Sequence, residues 1–485
     1  MNDSIWGTRT VLLGEADHGK STLMGYMYAE SQGIDMDEQR RELEEELVKE
    51  PIDDYLYSSL VNAIVVETQG GLERFSTRRR NLKDFVVDYQ GQPLLISMID
   101  TPGHAKYLSH QEYGATKGQI GVFCLKAEHI LDSGFDGSIF DRTRLWFAAH
   151  PGLKLIIALT KFDNQNYSEE NYLLAKQMIE RYIPLSQINS IIPIAIDCLN
   201  RTGENIFKPS ALMPWYTGPV LIEAISEQHF YIADNNPDSY GPNQPNNPVF
   251  SIERSFRNTQ SSAGKIWRVF VENGNLEAGD GIQMTSVEID NGSSKQLEKS
   301  VKATVREFRT QISGIEDYEI DDSFACSGSV ITLNLKDCYV GKGRVNKKQV
   351  FHTDQTIGLA DAEPFGLYNR LCVSFTSPED VFLLKMRDAM SKQDAILADD
   401  DAQQRQGELI ALLVFGRALA ARVDRIEVLR DKAKVYVQLL ANRCVTIPDA
   451  PELRNLSIFK HVVVRISLGS WDFSYHRATI DYDQL

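Results

Sequence analysis

The pattern of apolar and polar positions divides the chain into parts with different periods. Over roughly the first 225 residues, short apolar runs alternate with segments of helical period, which predicts strands and helices in turn. The predicted strands are Val11 to Leu13, Asp84 to Tyr89, Leu94 to Ile99, Gly121 to Leu125, Leu153 to Leu159 and Ile191 to Ile196. The predicted helices are Asp35 to Lys49, Phe140 to Ala149 and the segment after Thr22. This alternation indicates an α/β domain with a mostly parallel sheet, which we assign to residues 1–226.

The next segment, Glu227 to Pro248, is rich in Asn and Pro, which do not build a core, and it predicts a linker over residues 227–248. Beyond it the period changes to two. The predicted strands are Val249 to Glu253, Gly264 to Glu272, Gly281 to Thr285, Val301 to Phe308 and Gly328 to Leu335. Short strands at such spacing are typical of a closed barrel, here residues 249–362.

A third unit, residues 363–485, contains further strand patterns. They are Leu371 to Phe375, Leu409 to Phe415, Ala433 to Leu440 and His461 to Leu468. Between the first two strands, Glu379 to Asp401 indicates a helix or an excursion loop. We expect a second barrel with a remodelled surface.

Composition and charge narrow the range of functions. The 485 residues have a formal net charge of -16, which argues against binding of naked DNA, although local basic patches can still contact RNA. The six cysteines have no C-x-x-C spacing, so neither a disulfide framework nor a zinc site is indicated. No apolar run reaches the roughly 18 residues of a membrane helix, and the N-terminus lacks a signal-peptide pattern. We therefore expect a cytoplasmic protein without a membrane partner.

The strongest chemical signal is the segment Gly14 to Thr22, which follows the first predicted strand and has the spacing G-x-x-x-x-G-K-S. Backbone N–H groups between Gly14 and Gly19 turn inward around a phosphate, and the next helix adds its N-terminal positive charge. Lys20 reaches the outer phosphates, and the Ser21 hydroxyl is placed to bind Mg²⁺. The alternative is a glycine-rich turn that carries a lysine by chance.

A second motif, D-T-P-G-H, ends the strand Leu94 to Ile99. An acidic residue at the carboxyl end of a parallel strand lies where such a sheet presents its chemistry. We expect Asp100 to hold Mg²⁺ through water and the N–H of Gly103 to meet the terminal phosphate.

A third motif, T-K-F-D, ends the strand Leu153 to Leu159. The carboxylate of Asp163 can accept hydrogen bonds from N1–H and the exocyclic amine of guanine, a pair that adenine does not offer. The alternative is a carboxylate that caps the next helix. The order of the three motifs favours guanine binding, and the last strand is expected to close the base pocket near Ala195 and Ile196.

Together with M-P-W-Y-T-G-P from Met213 to Pro219, these motifs resemble the translational GTPases around elongation factor Tu and elongation factor 1-alpha, including release- and rescue-factor GTPases. The GTPase subunit of sulfate adenylyltransferase belongs to the same group. The resemblance implies an α/β P-loop GTPase domain followed by two β-barrel domains. It also implies GTP, GDP and Mg²⁺ as ligands and hydrolysis of GTP to GDP and phosphate.

The resemblance also implies individual roles. Phosphates are bound by Gly14, Asp17, His18, Gly19, Lys20, Ser21 and Thr22, and the metal by Ser21 and Asp100. The γ-phosphate meets Gly103, and the guanine meets Thr160, Lys161, Asp163, Ala195 and Ile196. His104 matches the histidine that helps to position the attacking water, and its alternative is a structural histidine.

The chain departs from the family at several positions. The first switch loop of the family carries R-G-I-T, and a gap-free count places Asn81 at its threonine, whereas Thr77 or Thr68 requires an insertion. The preceding triplet, residues 78–80, is a phosphate or ribosomal-RNA contact, a charge stabiliser in cis, or a solvated basic loop. Thr160 replaces the usual asparagine, and Ser470 to Ile480 replaces a glycine-rich last strand.

The first functional hypothesis is a translation factor that acts as a GTP/GDP switch and delivers a tRNA or protein cargo to the ribosome. A guanine-nucleotide exchange factor is a further candidate partner. The alternatives are a regulatory GTPase subunit of the sulfate adenylyltransferase type and a GTP-binding scaffold with little hydrolysis.

Overall fold

The computed structural model of the protein describes residues 7–46, 56–61, 81–104 and 107–235, and beyond these chiefly the strands named below. The chain divides into two compact units, Met1–Gly241 and Pro242–Leu485. Within the described residues, no helix is long and apolar enough to cross a membrane.

The first unit contains eight strands and eight helices among its described residues. The strands are β1 Gly7–Leu13, β2 Asn81–Tyr89, β3 Gln92–Asp100, β4 Ile120–Lys126, β5 Leu155–Thr160, β6 Ile188–Pro193, β7 Ala195–Asp197 and β8 Thr202–Glu204. The helices are α1 Lys20–Gln32, α2 Met36–Glu46, α3 Leu56–Ser59, α4 Leu108–Lys117, α5 Ala127–Ile130, α6 Asp141–Ala149, α7 Glu169–Tyr182 and α8 Leu221–Asn235.

Six of these strands form one sheet in the order β2-β3-β1-β4-β5-β6. All neighbours are parallel except β2 and β3, which form a hairpin. The predicted α/β domain with a mostly parallel sheet is thereby confirmed. Because parallel strands run in one direction, their carboxyl ends share one edge of the sheet, and the loops that carry the three motifs all leave from this edge.

The strands of this sheet are buried on both faces, as their near-continuous apolar sequences require. Leu12, Val122 and Ile156 belong to a core cluster that includes residues of α1 and α8. Val11 points to the opposite face, where its side chain lies against Gly114 of α4. Two helical layers therefore fix the sheet and the loops at its carboxyl edge.

Helix α8 corrects the predicted linker. Residues 227–235 continue a helix that begins at Leu221, and Ile222, Ile225 and Ile232 are buried along it. Their spacing of three and seven residues is helical, and it outweighs the polar residues between them. The Asn- and Pro-rich remainder, residues 236–248, lies outside the described residues, and the other domain boundaries stay predictions.

In the part of the second unit that the structure describes, nearly all elements are antiparallel strands. The first group is β9 Val249–Arg257, β10 Lys265–Asn273, β11 Asn275–Glu277, β12 Gly281–Ile289, β13 Ala303–Glu316, β14 Phe324–Cys326, β15 Val330–Leu335, β16 Tyr339–Val340, β17 Gly343–Arg344 and β18 Ile357–Ala360. Strands β12, β18, β9, β10, β15 and β13 pair in this order, and β12 also pairs with β13. The pairing therefore runs around a ring of six strands, as in the predicted barrel.

The second group is β19 Phe365–Tyr368, β20 Arg370–Phe375, β21 Leu409–Val414, β22 Arg417–Val428, β23 Ala433–Leu439, β24 Val445–Pro448, β25 His461–Ser467 and β26 Phe473–Ile480. Six of them form a closed barrel in the order β20-β23-β22-β21-β25-β26. Strand β26 lies inside the segment Ser470 to Ile480 and closes the barrel against β20 and β25. The predicted excursion, Glu379 to Asp401, lies outside the described residues.

Candidate nucleotide-binding site

The loop between β1 and α1 has the main-chain conformation of a phosphate cradle. Gly14 has a φ of 131°, and a Cβ built on it would lie 2.3 Å from the carbonyl oxygen of Cys124 in β4. A side chain here would collide with main chain, which cannot move aside. Asp17 and Gly19 have φ values of 62° and 78°. These turns reverse the chain so that α1 begins at Lys20.

Lys20 is buried at the N-terminus of α1. Its Nζ donates to the carbonyl oxygen of Glu15 at 2.5 Å. Burial lowers the pKa of Lys20, and the carboxylate of Asp100 opposes this effect. A buried ammonium group beside the positive end of a helix makes this loop attractive to an anion such as phosphate.

Ser21 and Asp100, the two predicted metal ligands, are in direct contact. Ser21 Oγ donates to Oδ2 of Asp100 at 2.7 Å. The adjacent Thr101 donates through its hydroxyl to the carbonyl oxygen of Leu12 at 2.7 Å, which fixes the end of β3 against β1. A hydroxyl and a carboxylate are hard oxygen ligands, which Mg²⁺ prefers together with phosphate oxygens and water. The pair therefore fits this ion, and the half-buried Thr22 follows in the same helical turn.

The D-T-P-G-H turn rests directly on the phosphate loop. A Cβ built on Gly103 would lie 2.1 Å from the amide nitrogen of Ala16, so only glycine permits this approach. The next residue, His104, is exposed. The structure does not describe residues 105 and 106. Among the residues that it describes, none forms a hydrogen bond with the imidazole of His104. The turn thus presents an exposed imidazole next to the phosphate loop.

The T-K-F-D segment is fastened to the other side of the phosphate loop. Thr160 Oγ1 donates to the carbonyl oxygen of His18 at 3.0 Å, and both residues are buried. Lys161 has a left-handed main-chain conformation with φ of 55°. Asp163 is exposed, and its carboxylate accepts no hydrogen bond from another described residue. It is open to a ligand rather than committed to a helix cap, which weakens the capping alternative.

The end of the sixth strand lies beside this segment. The main-chain N–H of Phe162 donates to the carbonyl oxygen of Ile194 at 3.1 Å. The next residues, Ala195 and Ile196, begin β7 and are buried and half-buried. The structure thus brings the predicted base residues together on one side of the phosphate loop and the predicted metal residues on the other.

His18 lies under the loop in contact with a second imidazole. Its Nδ1 accepts from the N–H of Lys126 at 3.3 Å, and its Nε2 lies 3.3 Å from Nδ1 of His129. Burial and the charge of Lys20 lower the pKa of His18 to about 3, so it is neutral. A neutral ring that accepts at Nδ1 carries its proton on Nε2, the nitrogen next to His129.

Glu15, His18 and His129 bring three potential metal-ligand atoms within 4.8 Å of one another. The charges around them do not suit a cation, because Lys20 and Lys161 both act on His18. The Nε2 proton of His18 also occupies the lone pair that a metal would need. We therefore assign this cluster to the packing of the loop and not to a metal.

Sequence reasoning missed two polar residues of the site, Arg142 and Gln111. Arg142, in the first turn of α6, donates to the carbonyl oxygen of Gly103 at 2.9 Å and to Oε1 of Gln111 at 3.2 Å. Neither belongs to a motif. Only the topology could have pointed to Arg142. A helix that connects two parallel strands begins at the carboxyl edge of the sheet, where the motifs lie, and α6 connects β4 to β5 in this way.

The first switch loop is only partly described. Asn81 begins β2 and lies directly opposite Asp100 in the hairpin. The predicted strand Asp84 to Tyr89 therefore begins three residues earlier, because Asn81 and Leu82 also pair with β3. Thr68, Thr77 and the arginine triplet, residues 78–80, lie outside the described residues.

Residues 8–231 match the family described as the elongation factor Tu GTP binding domain. Among similar proteins, the elongation factor 1-alpha of Caldivirga maquilingensis is 27% identical over 275 residues, which are 56% of this chain and 57% of the relative. That of Hyperthermus butylicus is 29% identical over 224 residues, 44% of this chain and 48% of the relative. The chain thus spans about half the length of the curated relatives it matches.

Solved structures resemble the fold over nearly the whole chain. The Ski7 GTPase-like domain of S. cerevisiae, bound to GDP and inorganic phosphate, has a TM-score of 0.68 at 14% identity and covers 99% of this chain and 98% of its own. The elongation factor SelB of Methanococcus maripaludis, in complex with the GTP analogue GppNHp, has a TM-score of 0.56 at 12% identity. The superposition with SelB covers 99% of this chain and 79% of the SelB chain. At these identities the likeness concerns the fold alone.

Proposed function

We propose that the protein binds GTP and hydrolyses it to GDP and phosphate, because residues 8–231 match the elongation factor Tu GTP binding domain. The binding is Mg²⁺-dependent. The protein would thus be a divergent relative of elongation factor 1-alpha, to which 56% of its length is similar at 27% identity.

The observation that carries the proposal is the double attachment of the phosphate loop. Ser21 joins it to Asp100 on the metal side, and the His18 carbonyl joins it to Thr160 on the base side. A nucleotide held by this loop would have its outer phosphates near the first pair and its base near the second. The buried Lys20 between them supplies the charge that a triphosphate needs.

The proposed roles follow from this placement. The loop from Gly14 to Thr22 binds the phosphates, including through Asp17, Gly19 and Lys20. Ser21 and Asp100 would hold Mg²⁺, which neutralises charge on the phosphate oxygens when bound. Gly103 meets the γ-phosphate, and His104 orients the attacking water. Because phosphoryl transfer requires little covalent help, orienting the water and stabilising charge are the catalytic tasks.

On the base side, the carboxylate of Asp163 would accept from guanine, with Lys161 two residues before it as a further base contact. Ala195 and Ile196 close the pocket beside the T-K-F-D segment. This assignment predicts that an Asp163→Asn variant loses affinity for GTP and gains affinity for xanthosine triphosphate, since an amide donates to the extra carbonyl of xanthine. Asp88→Asn, at the far end of the β2–β3 hairpin, is the matched control.

Calorimetric titration of both variants with the two nucleotides tests this. Guanine preference retained in Asp163→Asn would contradict the assignment. Equal changes in both variants would point to a general loss of structure.

Within this activity we propose a role in translation, as a GTP/GDP switch that delivers a tRNA or protein cargo to the ribosome. The similarity to elongation factor 1-alpha proteins supports it, as does a second unit that carries two rings of antiparallel strands. Co-sedimentation with ribosomes in GTP, GDP and a non-hydrolysable analogue tests the role. Binding that does not depend on the nucleotide would contradict a switch.

A GTP-binding scaffold with little hydrolysis is the second candidate, and one observation favours it. Asn81 stands opposite Asp100, at the position of a threonine in the family motif. An amide in place of that hydroxyl changes the ligands near Mg²⁺. Single-turnover hydrolysis with and without ribosomes separates the two candidates, because a scaffold stays slow in both conditions.

A further inference from the structure

Arg142 connects three parts of the nucleotide site. Its Nη1 donates to the carbonyl oxygen of Gly103 at 2.9 Å. The same nitrogen donates to Oε1 of Gln111 in α4 at 3.2 Å, and Nη2 lies 3.4 Å from a carboxylate oxygen of Glu15 in the phosphate loop. One guanidinium group thus contacts the phosphate loop, the D-T-P-G-H turn and the helix that follows the turn.

Gln111 extends this connection by one residue. Its Oε1 accepts from Arg142, and its Nε2 donates to the carbonyl oxygen of His104 at 3.0 Å. The carbonyls of two consecutive residues, Gly103 and His104, are therefore held by one pair of side chains. Holding these two carbonyls fixes the two peptide planes that flank the Cα of His104, and with them the direction of its Cα–Cβ bond.

The turn depends on such external support. Gly103 lies against the amide nitrogen of Ala16 without room for a Cβ, and the imidazole of His104 is exposed. A planar group with five donors in a rigid fork can hold acceptors in several directions at once, which a lysine ammonium on a flexible stem does less well. The charge of Arg142 also acts on Lys20, so the group lies within electrostatic reach of the phosphate position.

We propose that Arg142 is a positioning residue, which together with Gln111 aligns His104 and couples this alignment to the phosphate loop through Glu15. The proposal rests on the proposed function, because it assigns the alignment to hydrolysis of the outer phosphate. The ion pair between Arg142 and Glu15 adds little to the free energy of unfolding, because both side chains are partly exposed to solvent. Its effect is to orient the guanidinium group.

The test compares four variants of the full chain: Arg142→Ala, Gln111→Ala, the double variant and Arg144→Ala. Arg144 is the matched control, because it lies on the same helix and pairs with Asp141 at the surface at 2.8 Å. The measurements are the single-turnover rate of GTP hydrolysis, with and without ribosomes, and the Kd values for GDP and for a non-hydrolysable GTP analogue.

We expect Arg142→Ala to lower the hydrolysis rate by about ten- to a hundredfold, the range that a small misplacement of a catalytic group causes. Its Kd for GDP stays within about twofold of the unaltered chain, because GDP has no phosphate at the turn. The affinity for the analogue falls instead. Gln111→Ala has the same signature, and the double variant is no slower than the slower single variant, since the two side chains act as one unit.

Rates and analogue affinities equal to those of Arg144→Ala would overturn the proposal. So would an equal loss of affinity for GDP and the analogue, which indicates a structural role in the phosphate loop only. Absence of any guanine-nucleotide binding by the unaltered chain would contradict the proposed function itself and this inference with it. Binding by the unaltered chain together with unaffected variants would contradict this inference alone.

Discussion

The hydrogen bond from Thr160 to the His18 carbonyl can be tested by a substitution that keeps the shape of the side chain. Thr160→Val removes the hydroxyl and leaves a buried carbonyl oxygen without this partner. Loss of a partner from a buried polar group costs about 1–3 kcal/mol. In a unit of this size, each kcal/mol lowers the melting temperature by about 2–4 °C. We therefore expect a lower melting temperature and faster release of nucleotide.

Thr10→Val is the matched control for this substitution. Thr10 is fully buried in β1, and its hydroxyl has no hydrogen-bond partner among the described residues. Replacing an unpaired buried hydroxyl with a methyl group is neutral or stabilising. The same substitution therefore lowers the free energy of unfolding at Thr160 but not at Thr10, because only the Thr160 hydroxyl has a hydrogen-bond partner among the described residues.

Scanning calorimetry of the full chain measures the stability, and displacement of a fluorescent GDP measures the release rate. If Thr160→Val matches Thr10→Val in both measurements, the bond does not hold the base segment to the phosphate loop. A lower melting temperature with an unchanged release rate would leave the bond a purely structural role.

Three further outcomes are expected. Burial lowers the pKa of His229 to about 4, so the unfolded state binds more protons below pH 6.5. The contribution of His229 to the free energy of unfolding should fall by about 3 kcal/mol as the pH drops from 6.5 to 4, and His229→Leu should reduce the slope by this amount in urea titrations. Gly103→Ala should weaken binding of a GTP analogue more than of GDP, because the new Cβ forces the turn off the phosphate loop; equal affinities would contradict the close approach. His104→Ala should suppress ribosome-stimulated hydrolysis with nucleotide affinity nearly intact, and equal turnover would remove this residue from the mechanism.

The sequence predicts the first unit well because its signals are local. Apolar runs such as Gly121 to Leu125 are strands of a sheet buried on both faces, and each motif lies at a strand end. The second half of helix α8 was predicted as a linker, because the Asn- and Pro-rich composition after residue 227 hides the helical spacing of its apolar residues. Its buried Ile222, Ile225 and Ile232 are spaced as in a helix, but they stand among Asn, His and Glu.

In the second unit, the long strand β22 was not predicted. A β-bulge between Val423 and Arg425 shifts the register against β23. The bulge interrupts the alternation of buried and exposed residues, which is the signal that identifies a strand. The strand pairs with β21 and β23, its neighbours in sequence, so the irregular alternation and not the distance to its partners hides it.

The predicted site residues lie together at one edge of the first sheet, but their roles stay proposals. What the motifs could not supply is the set of contacts between them. Arg142 is separated from Gly103 by 39 positions, and no spacing rule links the two. The contact exists because α4 and α6 both lie at the edge where the turn leaves β3.

Calorimetric titration of the unaltered chain with GTP and ATP, each with and without Mg²⁺, tests the central claim most directly. We expect GTP to bind with heat that depends on Mg²⁺, and ATP to bind far more weakly, because adenine does not offer the carboxylate of Asp163 a pair of hydrogen-bond donors. Equal binding of the two nucleotides, or no heat with GTP in the presence of Mg²⁺, would contradict the assignment of a guanine-nucleotide site to the loop that carries Lys20.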